Sequence, residues 1–149
     1  MSSSTVTVSG LLDKCSTIGA TITSSSKKSM PRFNNGHLSG LTGTWTPNDC
    51  VSLTSGVAPA LSGGSVGWTP TSKVAGSTGI SLPAGTASTV TNGGKTKVQV
   101  SYTGGSVGGG SFTGGAVSLK VTTMQDEAQI SGRCANGLSN VAVVGTITL

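Results

Sequence analysis

The chain has few charged and few aromatic side chains. Both shortages restrict the classes of structure and of binding partner that the sequence allows. Charged residues make up 9% of the 149 positions and aromatic residues only 3%. So low a charge argues against charge-driven disorder, and so few rings leave almost nothing for stacking on nucleic-acid bases. We therefore expect a folded protein that has no nucleic-acid partner.

Titratable groups suited to catalysis are equally scarce. Histidine occurs once, at His37, and a Ser/His/Asp triad would have to join it to Asp13 or Asp49; the chain contains no G-x-S-x-G elbow. Because His37 follows the loop-forming residues 34–36, we interpret it as a solvated loop histidine. The sequence predicts a protein that is not an enzyme.

Signatures of cofactors, metals and membrane segments are missing too. No Cys/His spacing or acidic loop predicts a metal site, and no helix opens after the glycine-rich residues 104–110, as it would after a phosphate-binding loop. Asp126 and Glu127 are adjacent, which suits the first turn of a helix better than the facing carboxylates of a glycosidase. No apolar run reaches 18 residues, so we expect no cofactor and no membrane-spanning segment.

The start of the chain leaves two interpretations open. Met1 is not followed by the charged and apolar regions of a signal peptide. Either the chain is a mature form in which an initiator Met replaced the signal, or the protein is made in the cytoplasm, as virion components are. We favour the first interpretation, which places the protein outside the cell or on its surface.

What the chain does contain is alternating apolar and polar residues, set in a background of serine, threonine and 24 glycines. In residues 96–123, Val98, Val100 and Tyr102 alternate with polar residues, as do Val117, Leu119 and Val121. Side chains of a strand point to opposite faces in turn, so each run predicts a strand with one apolar face. We interpret the glycine-rich residues between the two runs as a connection.

Further strands are predicted on the same grounds at residues 5–12 with a bulge at Gly10, 18–22, 38–46, 66–68, 80–82, 87–91 and 140–149. Asn92-Gly93-Gly94 is a hairpin turn signal, and residues 124–135 predict a short helix. One domain spanning 1–149 follows, an all-β immunoglobulin-like antiparallel sandwich with one short helix before the last strand. A barrel or jelly roll is the alternative.

The predicted core consists of the apolar residues that share a parity within these strands. Its members are Val6, Val8, Ile22, Trp45, Trp68, Val98, Val100, Val117, Leu119, Val121, Val143 and Ile147.

The chain has three cysteines: Cys15, Cys50 and Cys134. If the first three predicted strands form a meander, the first and third point the same way and bring Cys15 and Cys50 to one end. We therefore predict a Cys15–Cys50 disulfide, with Cys134 as a buried thiol or an intermolecular link.

Three short stretches of the C-terminal half carry a resemblance: GSFTG at 110–114, RCANGL at 133–138 and GTITL at 145–149. In these stretches the chain resembles a group of small, secreted, β-rich proteins from actinobacteria. The segments 11–15 and 45–50 fit the same outline. The resemblance implies an exported β-rich domain and no particular activity. Members of the group have a further strand before the one that matches residues 5–12, which implies an unpaired edge here.

Two classes of function fit these features, with a third behind them. The first is a structural surface protein that assembles with itself, because the terminal strands contain neither Pro nor charge to protect an edge; the residues expected at these edges are Thr5, Val6, Thr7, Val8, Val143, Thr146, Ile147 and Thr148. The second is a module that binds a glycan or another surface polymer, supported by a net charge of +5 and by Trp45 and Trp68 as a stacking platform. The third is a virion decoration protein.

Overall fold

The structure, a computed structural model, describes residues 4–12, 35–45, 50–69, 77–110, 114–138 and 140–149. It is all-β with one short helix, as predicted, and its strands form one antiparallel sheet. The strands are β1 (Ser4–Leu12), β2 (Asn35–Trp45), β3 (Gly56–Ala58), β4 (Leu61–Thr69), β5 (Ser77–Leu82), β6 (Gly85–Asn92), β7 (Lys95–Gly110), β8 (Ala116–Asp126) and β9 (Val143–Thr148). The helix α1 (Glu127–Cys134) lies between β8 and β9. The predicted strand at 18–22 lies outside the described residues.

The order of strands in the sheet is β1-β2-β4-β5-β7-β6-β3, and β8 joins β7 to β9. The centre is a long hairpin in which β7 pairs with β5 through its C-terminal half and with β6 through its N-terminal half. Its turn at Gly93 and Gly94 has φ values of 60° and 77°, which the Asn-Gly-Gly signal predicted. Pro83 and Ala84 separate β5 from β6, because Pro has no N–H to donate to the ladder.

A line of bulges crosses the sheet, and a bulge bends the strand that contains it. One extra residue interrupts the pairing of β2 with β1, of β4 with β5, and of β7 with β8. Gly40, Gly63 and Gly104 occupy these positions, with φ between 71° and 72°, a left-handed conformation that glycine adopts without strain. Gly40 and Gly63 lie side by side across two strands. The bulge predicted at Gly10 is thus an extra residue on β2, opposite the β1 segment between Val8 and Gly10.

Most of the glycine-rich segment interpreted as a connection belongs to a strand. Residues 104–110 continue β7, which pairs there with β5 and β8. Gly105 is required at this place, because an added Cβ would lie 2.6 Å from Cδ2 of Leu82 and 2.7 Å from the carbonyl oxygen of Ser81. Glycine has no side chain to show alternation, and Val107 alone marks the buried face.

Helix α1 forms where it was predicted, but it begins later. Met124 still belongs to β8, and its N–H donates to the Ala142 carbonyl oxygen at 2.9 Å. The helix starts after Asp126, whose N–H donates to the Gln129 side chain at 3.0 Å, and it ends before Gly137, which has a φ of 88°. Ile130 is its buried residue.

The core is one cluster of buried side chains. Its members lie on both sides of the bulge line, the row of bulges at Gly40, Gly63 and Gly104. Trp45, Val98, Val117 and Leu119 are buried as predicted, and five further predicted residues are partly buried against the cluster: Val6, Val8, Val100, Val121 and Ile147. Val143 is 39% exposed and its assignment to the core is wrong, because it lies on the outermost strand, where no further element covers it among the described residues. Ile22 and the Trp68 side chain lie outside the described part.

The disulfide joins Cys50 to Cys134, whose Cα atoms are 5.8 Å apart. The predicted Cys15–Cys50 pair is therefore wrong, and Cys134 is neither a free thiol nor an intermolecular link. The prediction considered only the direction of the first three strands, whereas the end of α1 carries Cys134 to the turn that follows β2. Cys15 lies outside the described residues.

Tyr102 gives the core a measurable pH dependence. It is the only tyrosine of the chain, and burial raises the pKa of its phenol from 10.0 to about 12. The folded state holds this proton more tightly than the unfolded state, so its contribution to stability is complete below pH 10 and is lost as the pH rises towards 12. We expect tyrosinate absorbance to appear near pH 12 in the folded protein and near pH 10 in urea. Equal midpoints in the two conditions would contradict the burial of Tyr102.

Candidate functional site

In the sheet that the described residues form, both terminal strands lie at edges. Within the described residues, β1 pairs only with β2 and β9 pairs only with β8. An edge strand presents N–H and C=O groups that another strand can pair with. Neither β1 nor β9 contains Pro or a charged side chain, the two commonest protections of such an edge.

The hydrogen-bond phase of β9 identifies the backbone groups that face outwards. Met124 and Ala142 are a hydrogen-bonded pair, and residues of an antiparallel ladder alternate between bonded and non-bonded pairs. Val144, Thr146 and Thr148 therefore bond to β8, in register with Thr122, Lys120 and Ser118. It follows that the N–H and C=O groups of the alternate residues, Val143, Gly145 and Ile147, point away from β8.

Exposed apolar side chains line this same edge. Val144 and Met124 are each 59% exposed and lie on neighbouring strands, two residue pairs apart along the ladder. Gly145 holds β9 close to β8, since an added Cβ would overlap the Lys120 carbonyl oxygen and lie 2.8 Å from Cα of Val121. The sequence placed Val143, Thr146, Ile147 and Thr148 here but missed Met124, because the predicted helix began at that residue.

At the opposite edge, β1 has an alternating profile. Thr5 and Thr7 are exposed, while Val6 and Val8 pack against the core, as expected of a strand with one buried face. Leu11, at the end of the strand, is 85% exposed. This edge is uncharged and carries hydroxyl groups on its outer face.

Of the two tryptophans predicted as a stacking platform, Trp45 is not available to a sugar. Trp45 is buried, and its indole N–H donates to Oγ of Ser52 at 3.2 Å. Its ring therefore has no open face for a sugar. The side chain of Trp68 lies outside the described part of the chain, and its backbone pairs with Gly36.

No catalytic constellation is assembled by the part of the chain that the structure describes. His37 is exposed on β2 rather than on a loop, and Asp13 and Asp49 lie outside the described residues. The adjacent carboxylates of Asp126 and Glu127 lie at the start of α1, as predicted. Among the described residues, no three His, Cys, Asp or Glu side chains come together to hold a metal ion. None of the described helical residues forms a helix long and apolar enough to cross a membrane.

No family model, no curated protein and no solved structure matches this chain.

Proposed function

We propose that this is a non-enzymatic, extracellular structural protein that assembles with copies of itself by pairing edge strands. The observation that carries the proposal is the uncharged β9 edge, with its outward N–H and C=O groups at Val143, Gly145 and Ile147. A strand from a second copy would satisfy these groups through main-chain hydrogen bonds. The exposed side chains of Val144 and Met124 would then be partly covered.

The partner edge in the proposal is β1 of the next copy. β1 and β9 lie at different ends of the sheet, so a β9-to-β1 contact uses two different surfaces. Contacts of this kind repeat from copy to copy and produce filaments unless they close into a ring. Thr5, Val6, Thr7 and Val8 are the β1 residues that would meet β9.

Two further features support an exported building block. The Cys50–Cys134 disulfide suits an oxidising, extracellular compartment. The core cluster contains residues from both sides of the bulge line, such as Val66 of β4 and Leu119 of β8. We therefore propose that the bent sheet folds over this core as the two layers of an immunoglobulin-like sandwich.

Replacing Val143 with Pro tests the edge directly. Pro removes the Val143 N–H, which points away from β8, and places a ring where the next strand would pair. We expect the mass of the wild-type particles in solution to rise with protein concentration. Filaments should be visible by electron microscopy. The V143P variant should remain monomeric, with its melting temperature nearly unchanged.

Two control variants make the test specific. Val143→Thr keeps the shape and the N–H and should assemble like the wild type. Val144→Pro removes an N–H that bonds to β8, so it should lower the melting temperature, unlike V143P. Assembly of V143P at wild-type concentrations, or a wild type that is monomeric at every accessible concentration, would show that β9 is not an assembly edge.

A further inference from the structure

A second surface, separate from the edge groups, lies on the outer face of β7, β8 and β9. It is an open groove of about 410 Å³ lined by Ser101, Tyr102, Thr103, Ser118, Leu119, Lys120, Thr146 and Thr148. Ser101, Lys120 and Thr146 face one another across the three strands, and Ser118 faces Thr148 in a neighbouring row. The side chains of Tyr102 and Leu119 are buried in the core, so the lining that a ligand meets is hydroxyl groups around one ammonium.

The Lys120 ammonium is available to a ligand. This side chain is exposed, and within the described residues it makes no ion pair and no hydrogen bond. The nearest carboxylate on its own strand, Asp126, is about 20 Å away at roughly 3.3 Å per residue. No carboxylate of β8 is therefore close enough to compete with a ligand for the Lys120 ammonium.

We propose that this groove binds the carboxylate-bearing sugar unit of an acidic polysaccharide. An ammonium forms charge-assisted hydrogen bonds with a carboxylate, and hydroxyl groups both donate to and accept from sugar hydroxyls. Five hydroxyl side chains around one cation match a unit that carries one charge and several hydroxyls: Ser101, Thr103, Ser118, Thr146 and Thr148.

The same face distinguishes this ligand from other polyanions. Among the residues that the structure describes in this groove, Tyr102 is the one aromatic residue, and its ring is turned inwards, so no described ring is open to stacking by a nucleic-acid base. The described lining also contains no arginine, the residue that favours bidentate binding of phosphate. Lys97 and Lys95 follow on the same face of β7, about 13 and 20 Å from Ser101 at roughly 3.3 Å per residue, and offer further cations to a longer chain.

The test is a titration of the isotope-labelled protein with a dimer of galacturonic acid, followed by nuclear magnetic resonance. We expect saturable shifts at the amides of Ser118, Lys120 and Thr146, and none with the methyl-esterified dimer, which has lost its charge. Lys120→Gln should weaken binding about tenfold or more, because it removes the charge-assisted bond. Lys95→Gln, an identical change of charge beyond reach of the dimer, should leave the affinity within about twofold.

Several results would overturn the assignment. If K120Q and K95Q lost equal amounts of affinity for the dimer, the net charge of the protein alone would account for the attraction. Equal binding of the methyl ester, tighter binding of a single-stranded oligonucleotide or of a polyphosphate, or no saturable shift would each exclude an acidic-sugar site. K120Q leaves the backbone of β9 untouched and should assemble like the wild type, so failure here is distinct from failure of edge pairing.

Discussion

Replacing both Cys50 and Cys134 with Ser is expected to lower the free energy of unfolding by about 4–5 kcal/mol. The disulfide joins residues separated by 84 positions, so it encloses more than half of the chain. In the chain-entropy treatment, a cross-link of this span restricts the unfolded state much more than the folded state. Equilibrium urea unfolding of the double variant and the oxidised wild type measures the difference. A loss of this size would use up much of the stability of a typical domain.

The matched variant for this prediction is Cys15→Ser, which removes the one cysteine outside the observed bond. We expect its unfolding midpoint in urea to equal that of the wild type. Peptide mapping without reductant should recover a fragment that joins Cys50 to Cys134. A fragment joining Cys15 to Cys50, or a large loss of stability in the Cys15 variant, would contradict the observed connectivity.

Leu41→Ala is expected to cost about 2–5 kcal/mol of unfolding free energy. Leu41 is fully buried on β2 and packs against Gly64 of the neighbouring strand, where an added Cβ would lie 2.7 Å from Leu41 Cδ1. Because no side chain at Gly64 can move into the vacated space, the substitution leaves a cavity in addition to losing the buried surface.

Leu11 provides the control for Leu41 on the adjacent strand. It is 85% exposed, so Leu11→Ala should change the free energy of unfolding by no more than about 0.5 kcal/mol. Chemical denaturation of the two variants in parallel compares the same substitution at a buried and an exposed site. Similar losses in both would show that β1 and β2 do not present the faces described.

Elements with a side-chain signal could be predicted from the sequence. The alternation around Val98 and Leu119 identified β7 and β8, and Asn92-Gly93-Gly94 identified the turn between β6 and β7. In both cases the local chemistry that the fold needs, an apolar face or a positive φ, is carried by the residues themselves.

Elements that depend on distant neighbours could not be predicted in the same way. The strand character of residues 104–110 comes from pairing on both sides, and glycines show no alternation. The short β3 exists because Gly56, Val57 and Ala58 meet the start of β6. The disulfide connectivity depends on where α1 delivers Cys134, which no spacing along the chain reveals.

The same distinction decides which candidate site could be predicted from the sequence. The edge residues of β1 and β9 were predicted because both strands lie near the ends of the chain and lack charge. The Lys120 groove was not predicted, because the hydroxyl groups that surround it come from three strands. Only the register across the sheet brings Ser101 and Thr146 to the two sides of Lys120.

The long hairpin has a consequence for the order in which the chain folds. Its two arms, residues 77–92 and 95–110, are joined by a two-residue turn, so their pairing needs very little loop closure. Contacts between residues close in the chain form faster than contacts between distant ones. The hairpin is therefore the natural nucleus, and the meeting of Cys50 with Cys134 is a later, long-range event. During oxidative refolding, thiol pairing should follow the appearance of β-structure, so that oxidation secures a fold already reached.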